Sequence, residues 1–315
     1  MLRRSLPLLL AALVLLTALA VAASWQPDRP AAALEARWAG AASTFFVLKG
    51  QRIHLRDEGP REDPLPLLLI HGTSASLHTW DGWAAALRGS RRVIRFDLPG
   101  FGLTGPNIAG DYSDASYAQF VIDLADAMGL QRFVVGGNSL GGEAAWRTAV
   151  LAPQRVAQLI LVDAAGYPFT PESVPLGFRL ARSPAAAWLS QWTLPRALVA
   201  SSVRNVYGDP SKVSAELVDR YFELTLREGN RRALAQRLKQ LDLGAGAARI
   251  REIKAPTLIL WGGRDRLIPP DSARRFAADI AGSEWVVFDA LGHVPHEEDP
   301  VASLAPVRRF LGLQP

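Results

Sequence analysis

A chain of 315 residues, of which 49% are hydrophobic and 21% charged, can bury a full core, which excludes an intrinsically disordered protein. The net charge of +5 comes from scattered arginines rather than from a dense basic run, which argues against a nucleic-acid partner. The absence of cysteine excludes disulfides and thiolate catalysis, and the five histidines form no H-E-x-x-H pattern, so no metal site is predicted.

The first segment of the chain is strongly apolar. Residues from Leu6 to Ala23 are apolar apart from Thr17, and they follow the basic pair Arg3-Arg4. This pattern predicts a membrane anchor or a signal peptide over residues 1–24. Trp25 favours the anchor, because aromatic rings prefer the membrane interface. The small residues at the end of the run fit a cleaved signal instead.

Basic residues before an apolar segment stay on the cytoplasmic side of a membrane. We therefore expect the main body of the chain on the non-cytoplasmic, periplasmic side, attached to the membrane through the N-terminal segment. Secretion after signal cleavage is the alternative.

Short apolar runs after the N-terminal segment predict the first strands of a sheet. Residues 44–49 and 51–56 flank Gly50 as a hairpin would, with His54 as a partly exposed strand residue. The continuous run Pro66 to Ile70 predicts a buried strand, and it delivers His71, Gly72 and Thr73 into a loop.

The stretch from Phe133 to Glu143 organises the rest of the chain. A buried-type strand ends abruptly in Gly-Gly-Asn-Ser-Leu-Gly-Gly before a helical pattern begins. Gly137 and Gly141 permit a sharp strand-to-helix turn, because a side chain there would strike the neighbouring backbone. Such a turn exposes the Ser139 hydroxyl. The pattern taken alone also fits a glycine-rich turn of a Rossmann-like unit.

Gly137 to Gly141 has the G-x-S-x-G form of a nucleophile elbow, and with it the chain resembles the α/β-hydrolase superfamily. The resemblance implies a mostly parallel eight-stranded sheet flanked by helices, with an inserted helical cap. It also implies that the N–H groups of Thr73 and Leu140 form the oxyanion hole, and that His71 holds the loop rather than acting as a base.

The strand and helix alternation stops after residue 166. Prolines break residues 167–248 into short helices, where the superfamily inserts its cap, so we expect the core to comprise residues 43–166 and 249–315. Residues 25–42 are rich in alanine, proline and arginine, and they are predicted to form a linker or a weak helix. Four aromatic residues of the cap could wall an apolar substrate tunnel or pack the cap onto the core: Phe169, Phe178, Trp188 and Trp192.

Two acids and two histidines compete for the remaining catalytic roles. Asp265 ends a W-G-x-x-D pattern after a buried-type strand and is the predicted triad acid, with Asp163, at the end of an earlier strand, as the alternative. The resemblance makes His293, which follows a glycine, the predicted base, with His296 as the alternative. The order serine, acid, histidine is that of the superfamily.

A serine hydroxyl needs a base to remove its proton during attack, and histidine can accept and then donate that proton. We therefore expect a serine hydrolase that cleaves carboxylic esters with small to medium acyl groups, in the manner of a carboxylesterase or lipase, through an acyl-enzyme; the apolar N-terminal segment suggests lipid-derived substrates. The alternatives are a carbon–carbon bond hydrolase of the aromatic-degradation type, which uses the same triad, and a non-catalytic ligand-binding protein of this fold. No cofactor is predicted, and the oligomeric state is left open.

Overall fold

The computed structural model describes residues 2–183 and 191–314. Its centre is a single eight-stranded sheet in the order β1-β2-β4-β3-β5-β6-β7-β8. The strands are β1 Ser43–Leu48, β2 Gln51–Glu58, β3 Leu67–Ile70, β4 Val93–Phe96, β5 Phe133–Asn138, β6 Val156–Val162, β7 Thr257–Gly262 and β8 Glu284–Phe288. Strands β1 and β2 pair antiparallel, and β2 pairs antiparallel with β4, whereas the pairs from β4 onward are parallel.

The helices in the described part of the chain lie before, between and after these strands. They are α1 Leu2–Ala23, α2 Ala31–Trp38, α3 Asp81–Leu87, α4 Asp114–Ala127, α5 Leu140–Leu151, α6 Leu176–Arg182, α7 Arg196–Val206, α8 Ala215–Thr225, α9 Asn230–Gln240, α10 Asp271–Asp279, α11 Pro295–Glu298 and α12 Pro300–Phe310.

Strand β3 shows why the apolar runs become central strands. All four of its residues are fully buried, because successive side chains point to opposite faces and helices cover both faces. Leu68 and Ile70 belong to the core cluster that contains Tyr117 of α4. Leu67 belongs to the opposite cluster, together with Trp83 of α3. The sheet therefore separates two apolar layers, and the predicted α/β-hydrolase fold is confirmed.

Helices α6 to α9 lie between β6 and β7, and the described residues of this region form no strand. We call this group of helices the cap. Helix α2 falls within the predicted linker and contacts the cap. Its Arg37 forms an ion pair with Glu223 of α8 at 2.5 Å, and Trp38 Nε1 donates to the same carboxylate at 2.7 Å.

The structure corrects the interpretation of the N-terminal segment. None of the helices in the described residues has the length and apolar character that crossing a membrane requires. The predicted membrane-anchored location, with the catalytic domain on the non-cytoplasmic side, is therefore wrong. The residues just after α1 contact the segment that precedes α7 instead, where Trp25 stacks on Trp192 with ring centroids 5.6 Å apart. The backbone reinforces this contact, because Leu194 N–H donates to Ser24 at 3.0 Å.

Candidate active site

The turn between β5 and α5 carries Ser139 in a strained backbone conformation, with φ of 55° and ψ of −117°. An added Cβ at Gly137 would lie 2.1 Å from the Gly141 carbonyl oxygen, and one at Gly141 would lie 2.1 Å from the Ile70 oxygen. Only glycine fits either position, as the elbow pattern predicts. The strain at Ser139 is typical of a functional position held by its surroundings.

Two backbone N–H groups lie beside this serine. Leu140 is the first residue of α5, and Thr73 belongs to the loop after β3; both line the same cavity as Ser139. Neither N–H has a hydrogen-bond partner among the described residues. The N-terminus of α5 adds a favourable electrostatic potential for negative charge. This arrangement suits the stabilisation of an oxyanion.

The second half of the site is a buried pair formed by His293 and Asp265. His293 Nδ1 lies 2.6 Å from Asp265 Oδ2, while Asp265 Oδ1 accepts N–H groups from Leu267 at 2.8 Å and Ile268 at 3.0 Å. Because the carboxylate accepts the Nδ1 proton, Nε2 is left as the basic nitrogen.

The backbone of His293 is fixed from two sides. Its N–H donates to Val206 at the end of α7 at 2.8 Å, and its carbonyl accepts from Asn138 Nδ2 at 2.9 Å. Asn138 also donates to Val162 at 3.1 Å, so it joins the ends of β5 and β6 to the loop that carries His293. The sequence analysis missed this residue, although its position directly before Ser139 is a signal for such a role.

Ser139 and His293 line one cavity, together with the predicted oxyanion donors. The structure thus brings together the serine, the acid, the histidine and both N–H groups. It records no hydrogen bond between the side chains of Ser139 and His293. Such bonds are often long without substrate and tighten when substrate binds.

The alternative base and the proposed structural histidine have other partners. His296 Nε2 lies 3.0 Å from Thr79 Oγ1, and its ring stacks on Trp80 at 3.9 Å. Burial and the neighbouring His293 lower the pKa of His296 well below its usual range, so it is a poor base. His71 Nδ1 donates to the Gly72 carbonyl at 2.7 Å and therefore holds the loop that carries Thr73.

The cavity above Ser139 has a volume of about 890 Å³ and lies between the core, the cap and the end of α1. Most of its lining residues are apolar, among them Phe169 and Phe178. The structure does not place Trp192 in this lining, because its indole stacks on Trp25. Trp188 lies outside the described residues.

Charged residues also line this cavity, and each has an oppositely charged partner. Arg196 pairs with Asp219 at 2.7 Å, Arg231 with Asp28 at 3.1 Å and Arg237 with Asp114 at 2.6 Å. Glu143 of α5 pairs with Arg147 at 3.1 Å. Burial, followed by the neighbouring Asp114, raises the pKa of Glu143 to about 7.

A family profile described as the alpha/beta hydrolase fold matches residues 66–300. The chain belongs to the α/β-hydrolase family. It is 30% identical over 259 residues to a 2-hydroxy-6-oxo-2,4-heptadienoate hydrolase of Pseudomonas putida, covering 79% of this chain and 90% of that protein.

Two solved structures resemble this α/β hydrolase over most of its length. A meta-cleavage product hydrolase from Pseudomonas fluorescens has a TM-score of 0.74 and 25% identity, covering 85% of this chain and 97% of its own. A membrane phospholipase A, described as a bacterial virulence factor, has a TM-score of 0.70 and 26% identity. That similarity covers 99% of this chain and 98% of the phospholipase, so it includes the N-terminal segment.

Proposed function

We propose that this hydrolase cleaves carboxylic esters with a large apolar acyl group through an acyl-enzyme on Ser139. The observation that carries the proposal is the apolar cavity of about 890 Å³, which Ser139 and His293 line together. A cavity of this size accommodates a substrate well beyond a short-chain acid, and its apolar wall favours a hydrocarbon chain.

The mechanism follows from the groups around the serine. His293 removes the hydroxyl proton as Ser139 attacks the carbonyl, and Asp265 stabilises the resulting imidazolium. The N–H groups of Thr73 and Leu140 bind the oxyanion, each contributing roughly 2.7–4 kcal/mol to transition-state stabilisation. His293 then protonates the leaving alkoxide, and a water molecule activated by the same imidazole releases the acid.

The charge distribution supports an uncharged acyl group. The three cavity arginines already have carboxylate partners, as described above, so a substrate carboxylate would have to compete with them. An ester with a hydrocarbon chain carries no charge and does not compete for these arginines. The similarity to a phospholipase A, which extends over 99% of this chain, also favours an ester with a long acyl chain.

Carbon–carbon bond hydrolysis is the second candidate, and the relatives favour it over ester hydrolysis. The substrate named for the Pseudomonas putida relative is a ketone with a carboxylate and no ester, so hydrolysis must break a carbon–carbon bond beside the ketone. The structural similarity to a meta-cleavage product hydrolase points the same way. Both reactions use an activated serine, so the triad does not distinguish them.

A side-by-side assay separates the candidates. We expect kcat/KM to increase with acyl length for p-nitrophenyl esters and to stay lower for 2-hydroxy-6-oxo-2,4-heptadienoate. A higher kcat/KM for the dienoate would replace the ester proposal with the carbon–carbon candidate. Wild type is expected to react with a fluorophosphonate probe and Ser139→Ala is not. A wild type that binds an apolar ligand but stays unlabelled would be a binding protein instead.

A further inference from the structure

A second carboxyl group lies next to the Asp265–His293 pair. Strands β6 and β7 are adjacent and parallel, so Asp163, which follows β6, and Asp265, which follows β7, meet at one edge of the sheet. A carboxylate oxygen of each and a ring nitrogen of His293 all lie within 4.8 Å of one another. Asp163 is fully buried and Asp265 is 2% exposed. Two carboxylates this close and this dry cannot both carry a negative charge.

The hydrogen bonds decide which of the two acids is ionised. Asp265 has donors at both oxygens, namely two backbone N–H groups and His293. Asp163 Oδ1 accepts a single N–H, from Gly262 at 2.9 Å, and its buried Oδ2 has no partner among the described residues. Asp265, which has more hydrogen-bond donors, therefore holds the charge, and a proton on Asp163 Oδ2 turns an unpaired acceptor into a donor.

The other groups that act on Asp163 favour the same assignment. Burial is the largest cause of a pKa well above the usual range, Asp265 is the next, and the carboxylate of Glu298 on α11 adds to it. Among these groups, only the Gly262 N–H stabilises the charged form of Asp163.

The backbone at Asp163 is unusual and limits what can replace it. Its φ is +44°, in the left-handed region that non-glycine residues other than aspartate and asparagine rarely adopt. Its own N–H donates to the Leu260 carbonyl at 3.0 Å, which fixes the residue against β7. Asparagine therefore fits the site without further strain, and it supplies both an acceptor and a donor.

We propose that Asp163 is a positioning residue of the active site: a neutral carboxylic acid that donates to Asp265 and becomes the carboxylate partner of His293 when Asp265 is removed. In that variant the Asp163 proton leaves to solvent, and the new carboxylate accepts the Nδ1–H of His293. The inference rests on the proposed serine mechanism but not on the identity of the substrate.

The test measures the rate at which a fluorophosphonate labels Ser139 in five full-length proteins, one of them a control, from pH 5 to pH 9. We expect Asp163→Asn to label within about threefold of wild type, because the amide reproduces the donor and the acceptor. Asp265→Ala should lose about 100-fold. The double variant, Asp163→Asn with Asp265→Ala, should lose about 10⁴-fold, as when a triad acid has no substitute.

The pH profile provides a readout that a purely structural role would not change. In Asp265→Ala the labelling rate should increase with pH through an additional ionisation, that of Asp163, and the double variant should lack this step. Asp279→Asn combined with Asp265→Ala is the matched control, because Asp279, the last residue of α10, binds Tyr167 and Arg251 instead of the Asp265–His293 pair. The control should behave like Asp265→Ala alone.

Two results would overturn the inference: a double variant that labels as fast as Asp265→Ala, or a folded Asp163→Asn that loses more than about 100-fold on its own. Thermal unfolding of each variant establishes that it is folded. Failure of the proposed serine mechanism is distinguishable, because then wild type itself stays unlabelled.

Discussion

The strained backbone at Ser139 predicts that a residue which adopts this conformation without strain would make the folded protein more stable. Residues held in sparsely populated backbone regions cost about 1–3 kcal/mol each, and the φ of 55° with ψ of −117° at Ser139 lies in such a region. Glycine adopts positive φ without this penalty. It also makes the unfolded chain more flexible, which lowers the free energy of unfolding by about 0.4–1 kcal/mol. Ser139→Gly should therefore be more stable than Ser139→Ala by about 1 kcal/mol.

Comparing these two variants isolates the effect of backbone conformation on stability, because both remove the hydroxyl and both are expected to be inactive. A difference of about 1 kcal/mol corresponds to a Tm difference of about 2 °C in a chain of this size, measurable by circular dichroism. Ser201, an exposed residue of α7, is the matched control. There glycine should be the less stable replacement by about 1 kcal/mol. A Ser139→Gly protein that melts at or below the Tm of Ser139→Ala would refute the reasoning.

Three further predictions follow from the site. Asn138→Ala leaves the buried carbonyl of His293 without its donor and the Val162 carbonyl with only the Ser139 N–H, so the free energy of unfolding should drop by about 1–3 kcal/mol, measured by urea titration, with slower labelling of Ser139. Burial raises the folded-state pKa of Glu143 to about 7, so wild type loses stability as pH rises from its ordinary pKa of 4.5 through 7. The Tm of Glu143→Gln relative to wild type should therefore be higher at pH 8 than at pH 5; an unchanged difference would contradict this. Phe178→Ala removes an apolar wall of the cavity, and kcat/KM should decrease more for long-chain than for short-chain p-nitrophenyl esters. An equal loss at all lengths would argue that Phe178 only packs the cap.

The histidines illustrate what motif context predicted and what it did not. His71 holds its loop, as the resemblance implied, but His54 is not a partly exposed strand residue. It is fully buried, with Nδ1 2.7 Å from Asp97 and Nε2 2.7 Å from Ser43. No local pattern marks this network, because its members are brought together by the pairing of β1, β2 and β4.

The aromatic residues and the N-terminal segment show a similar limit. Composition made Trp192 a candidate for the substrate tunnel, and it made α1 a candidate membrane segment. In the structure the rings of Trp25 and Trp192 stack on each other, and the end of α1 lines the cavity beside the cap. An apolar side chain favours burial, but its presence in the sequence does not specify which surface covers it.

The sequence by itself determined the buried strands and the elbow. Their physical causes are local: continuous apolar runs suit strands covered on both faces, and Gly137 and Gly141 are required where backbone approaches within 2.1 Å of an added Cβ. Only the tertiary structure decided which acid pairs with His293. Asp163 and Asp265 both end a buried strand, and the choice depends on hydrogen-bond donors that converge from distant parts of the chain. Such convergence is a property of strand order and register, which residue spacing does not encode.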